Sequence, residues 1–130
     1  MDELVARIAT AAALSTEMAR TAVGIIFNFL QKEVPDEMNS LITTIPGAAD
    51  IIAEHAEEAP ASAGFLGSLM GMMGGGGGLM GLAGELSSAG LGMGDMHTVG
   101  HELFAILREK AGDEAVGRVV NAIPGLSQFI

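Results

Sequence analysis

Between Ser15 and Lys32 the polar residues Glu17, Thr21, Asn28 and Gln31, with Gly24, fall along one narrow helical stripe. Met18, Ala22, Ile25, Ile26, Phe29 and Leu30 fill the remaining surface. An apolar surface that wide predicts a central, mostly buried helix. Ser15 reads as its N-cap, and Glu17 in the first turn suits the positive end of the helix dipole. Pro35 stops this helix and suits the first turn of the next, where Asp36 and Glu37 also belong. Pro46 ends that third helix, and a fourth is predicted from about Ala48 to Glu57. Ahead of them, Leu4, Val5, Ile8 and Ala12 make a short amphipathic first helix.

The pattern then recurs. Ile45-Pro46-Gly47 returns as Ile123-Pro124-Gly125, Asp36-Glu37 as Asp113-Glu114, Phe27 as Phe104, Leu30 as Leu107 and Leu14 as Leu91. Most of the alignment runs at an offset of 77, and one inserted residue after Glu114 makes it 78. Leu4, Ile8 and Ala11 fall on Leu82, Leu86 and Ala89 once one residue is skipped. Val99, Leu103, Phe104, Ile106 and Leu107 define the second central helix, and Val116, Val119, Val120 and Ile123 the helix after it. Gly112 stands where the first copy has Pro35, and reads as a helix-terminating glycine before an Asp113 N-cap. Leu126, Phe129 and Ile130 in the short last segment are expected to be buried. A unit too small to hide its own apolar face packs on a neighbour. The expectation is therefore an all-α fold, a four-helix unit duplicated about a pseudo-twofold axis into one helical-bundle-like domain over residues 1–130. The internal copies are 1–58 and 79–130, joined by the Gly-rich segment 59–78, and Met18, Ile26, Phe29 and Leu30 should meet Leu103, Phe104, Leu107 and Val120 in a shared core.

From Ala59 to Gly84 there is no charged residue, and glycine fills five consecutive positions at Gly74–Gly78. A P-loop would need Lys-Ser/Thr after the glycines, which is missing. The uncharged run is long enough to cross a bilayer, yet each interior glycine costs a helix about 1 kcal/mol relative to alanine, and five together break it. A linker is the better reading, and Gly74–Gly78 should be the least protected backbone of the chain. It is not a plain spacer. Phe65, Leu66, Leu69, Met70, Met72 and Met73 make its first half an apolar arm that needs something to dock on.

Composition narrows the partners. With 16 acidic against 6 basic residues the chain carries a net charge of −10, so nucleic acid is excluded as a partner and an anionic membrane surface is disfavoured. Zero cysteines remove disulfides, thiolate metal sites and cysteine nucleophiles. The start, Met1-Asp2-Glu3-Leu4, lacks a basic region followed by an apolar one, and a cytoplasmic location is expected. Five Phe with no Trp or Tyr leave little for an aromatic-lined pocket.

Candidate chemistry is sparse. His97 and His101 stand at i and i+4 with Glu102 adjacent, a spacing able to chelate a divalent metal, but Thr98 occupies the place where a zinc protease needs Glu. In the repeat His97 aligns with Arg20 and His101 with Gly24, on or beside the polar stripe, so solvated surface histidines are expected. Six of the nine methionines lie between Met70 and Met96, and thioethers with imidazole suit Cu(I), although methionine is also an adaptable core filler. Glu102 aligns with the apolar Ile25, so it should sit at the rim of the apolar face or be paired, with Arg108 or a histidine the candidate partners. Glu54, Glu57 and Glu58 read as a solvated face. No catalytic arrangement and no cofactor is expected.

The layout resembles a family of small bacterial all-helical proteins of unknown function. The likeness lies in Leu14-Ser15-Thr16-Glu17 at the start of a long apolar helix, the Ile45-Pro46-Gly47 stop, the Gly/Leu/Met-rich middle and the second helical set. It implies a fold and a bacterial origin, and no catalytic residue or substrate. The function expected is a non-enzymatic interaction or assembly protein, self-associating or binding another protein through the apolar Gly/Met-rich segment. The alternatives are a peripheral membrane protein inserting residues 65–82, and behind it a Met/His metal-binding module.

Overall fold

The computed structural model describes residues 2–45, 47–58, 79–123 and 125–129. Among these, seven helices of ten or more residues and one single turn account for the regular structure, with no strand. The chain is all-α.

α1 (Asp2–Ala12) turns Leu4, Val5, Ile8, Ala9 and Ala12 into the core and Glu3, Arg7 and Thr10 out. It ends at Ala13, whose φ of 55° is left-handed, and the Leu14 N–H closes the turn by donating to the Ala9 carbonyl at 2.8 Å. Ser15 then caps α2 (Thr16–Glu33), its Oγ accepting from the Met18 N–H at 3.2 Å. From Ala22 to Phe27 every residue of α2 is buried, more than one full turn, so this helix is enclosed on all sides. The polar stripe is narrower than its sequence suggests: Gly24 is buried, while Thr21, Asn28 and Gln31 are half-buried.

α3 (Pro35–Thr44) starts with Pro at its first position and Asp36 and Glu37 in its first turn, and buries Met38 and Leu41. α4 (Ala48–Glu58) buries Ala48 and Ile51. α5 (Leu79–Ser88) buries Leu82 and Leu86. α6 (Met93–Ala111) is the second long helix, burying Met96, Val99, Gly100, Leu103, Phe104, Ile106 and Leu107. Its start is held by the Asp95 carboxylate, which accepts from the Gly92 N–H at 3.2 Å. α7 (Asp113–Ala122) buries Val116 and Val119, and α8 (Leu126–Phe129) is a single turn carrying the buried Leu126.

One expected cap is corrected. Gly112, not Asp113, is the N-cap of α7. With φ 94° and ψ 157° it ends α6 and starts α7 in one residue, leaving Asp113 and Glu114 in the first turn.

α2 and α6 are the two central helices. α1 lies across α6 as well as α2, α5 lies on α2 and also touches α6, and α3 meets α7. Ile26, Phe29 and Leu30 share one buried cluster with Leu103, Phe104 and Leu107, whereas Met18 and Val120 are only partly buried against it. The two long helices differ in cover. α2 carries α4, of 11 residues, whereas the α8 turn that touches α6 has 4. A face of α6 that includes His97, His101 and Arg108 is accordingly exposed.

Candidate interaction surface

The apolar arm Phe65, Leu66, Leu69, Met70, Met72 and Met73 lies outside the described residues, as do Gly74–Gly78 and the side chains of Glu54, Glu57 and Glu58. The helices flanking the segment, α4 and α5, both pack on α2. Of the 65–82 stretch considered for membrane insertion, Leu82 is already committed to the core at 2 % exposure. No helix among the described residues is long and apolar enough to cross a membrane.

The sequence grouped His97, His101 and Glu102, and the structure separates them. Both imidazoles are exposed on α6, whereas Glu102 is half-buried and turned to α1, with its Oε2 3.9 Å from Nε of Arg7. The partner of this carboxylate is therefore neither Arg108 nor a histidine. It is a cation from the first helix, reached because α1 packs across α6. Among the described residues no group of three or more His, Asp and Glu side chains could hold a metal ion.

Arg7 does more than face Glu102. Its Nη1 donates to Oε2 of Glu109 at 2.6 Å and its Nη2 to Oε1 at 3.4 Å, a forked contact between residues 102 apart. The hydrogen bond and charge of Arg7 hold the Glu109 carboxyl below the ordinary glutamate range, and Glu109 in turn raises the Arg7 guanidinium. Both groups are about half exposed, so the contact adds little to stability. Sequence reasoning missed this pair. Its members lie 102 residues apart, and no local pattern joins them.

A shallow depression between α1 and the start of α2 is lined by Val5, Ala6, Thr16, Glu17 and Arg20. It brings together one hydroxyl, one carboxylate and one guanidinium at the surface. Among the described residues no polar or charged side chain is buried. Apolar exposure is equally limited: among the side chains that are described, Met93, at 80 %, is the one large hydrophobic left exposed.

No family model, no curated protein and no solved structure matches the chain.

Proposed function

We propose that this chain is a non-enzymatic assembly protein that binds a second copy of itself through the apolar arm Phe65–Met73. The observation that carries the reading is how completely the described helices use their apolar faces. Every large hydrophobic residue whose side chain is described, except Met93, is buried or partly covered. The six apolar residues of the arm are thus additional to what the bundle's own amphipathic faces require, and apolar surface beyond that need marks contact sites. The net charge of −10 keeps such a protein soluble while a small apolar element associates.

The same proposal includes the duplication. Two four-helix units related by a pseudo-twofold axis account for matched details at offsets of 77 and 78. Ala13 and Gly90 are both left-handed, at φ 55° and 101°, and Leu14 and Leu91 close their turns onto Ala9 and Leu86. Ile45 and Ile123 are extended C-caps with near-equal dihedrals, and Gly47 and Gly125 follow at φ 86° and 84°. Each first helix, α1 or α5, lies on the central helix of the other unit. A unit that already buries its face against its own likeness is a natural basis for self-association. A bacterial, cytoplasmic member of the helical family that the motifs resemble fits this reading.

Replacing residues 64–73 with a Gly/Ser stretch of equal length tests it while keeping the connection between α4 and α5. Sedimentation should show an oligomer for the native chain and a lower mass for the replacement. Equal masses would remove the arm from the interface. Flotation of the native chain with liposomes, lost in the replacement, would favour the membrane reading instead.

A further inference from the structure

All three carboxylates of α6 are engaged away from its exposed face. Asp95 accepts from the Gly92 N–H, and Glu102 and Glu109 both turn to Arg7 of α1. The residues that α6 exposes from its start to Arg108 are Met93, Gly94, His97, His101 and Arg108, and none is acidic. The neighbouring chain continues this character. From Ala115 to Ile130, a stretch that includes the α8 turn touching α6, there is no Asp or Glu. Met93, the one large hydrophobic left exposed among the described side chains, stands at the start of this face. Beside it the surface is open: a Cβ on Gly94 would meet no atom within 4 Å.

We propose that this acid-free face of α6 receives the arm Phe65–Met73 of a second copy. The inference rests on the reading of the arm as the self-association element, and it names the surface on which the arm lands. Charge selects the face. Two copies at −10 repel each other, so contact is confined to surfaces that carry little negative charge. The arm belongs to a run, 59–84, without a charged residue, and the α6 face is a second surface without a free carboxylate. Spacing and length agree as well. Phe65, Leu69 and Met73 recur at i, i+4 and i+8, as do Met93, His97 and His101, and on a helix each set spans about 12 Å. Ridges of that spacing pack beside one another. Imidazole presents an apolar body with a polar tip, which suits contact with Phe65 and Leu69. Arms exchanged in both directions close a dimer.

The test uses the full chain. Met93→Glu with His101→Glu puts two carboxylates on the face at exposed positions, so helicity should stay native. Self-association measured by sedimentation should weaken by about tenfold or more, because each carboxylate would be desolvated without a partner. Asn39→Glu with Thr43→Glu adds the same charge at exposed positions of α3 and should leave association near native. The chain has no cysteine, so Leu69→Cys and His97→Cys can also be mixed and treated with a short bis-maleimide. A covalent dimer is expected from the mixture and from neither variant alone; it decides the question should the α6 variant lose helicity. Native association in the α6 variant, equal weakening by the α3 pair, or no cross-link in the mixture would overturn the α6 site. If replacement of the arm still dissociates the protein in those cases, the arm remains the assembly element and lands elsewhere. Cross-linking of Leu69→Cys alone would set arm against arm and likewise overturn the α6 site. A native chain that is monomeric would overturn both readings together.

Discussion

The guanidinium of Arg7 forks onto the carboxylate of Glu109, at 2.6 and 3.4 Å, and ties the first helix of the chain to the end of its longest. This contact holds the Glu109 pKa below its ordinary value. Its contribution is therefore present above the ordinary glutamate pKa and lost as pH falls through the depressed one. Arg7→Gln should move the Glu109 titration upward, followed by its side-chain carboxyl resonance, and should remove that acid-range loss of stability. A Glu109 titration unchanged by Arg7→Gln would show that the fork does not persist in solution.

Ala13 occupies a left-handed conformation at φ 55°, as does Gly90, 77 residues further on, at φ 101°. An L-residue with a Cβ pays about 1–2 kcal/mol there, partly offset by the greater freedom glycine loses on folding. Ala13→Gly should stabilise the protein by up to about 1 kcal/mol in urea melts. Gly90→Ala should destabilise by about the same amount or more, because its φ of 101° is a conformation that L side chains rarely adopt. A destabilised Ala13→Gly would mean that the turn relaxes away from this geometry.

Phe27 and Phe104 are buried at 0 % and 2 % on the two central helices. Truncation of either to alanine should cost about 3–5 kcal/mol, the range for buried aromatics in close-packed cores. Similar losses from the two changes, measured by chemical denaturation with one cooperative transition, would match a single shared cluster. Two separable transitions would contradict it.

The helices were legible because their punctuation is local. Ser15, Pro35 and the periodic apolar positions each act within a few residues, and α2, α3 and α4 start where those signals put them. Gly112 misled at one position because a glycine at φ 94° can end one helix and cap the next, leaving no role for an Asp113 cap. Partners distant in sequence were not legible. Glu102 pairs with Arg7 only because α1 crosses α6, and Gly24 is buried only because helices enclose α2 on all sides. Exposure of His97 and His101 followed from the polar stripe, but Met93 was hidden among the methionines around it. The arm rests on an excess of apolar residues in the sequence, a property of composition that carries no geometry.

The central claim is that the arm joins one copy of the chain to another. The most direct test is the mass by light scattering of the native chain and of a Phe65→Ser, Leu69→Ser double variant, measured over the same concentration range with helicity followed in parallel. The account predicts an oligomer for the native chain and a lower mass for the variant at unchanged helicity. A native chain that is monomeric throughout, or a double variant that simply unfolds, would contradict it.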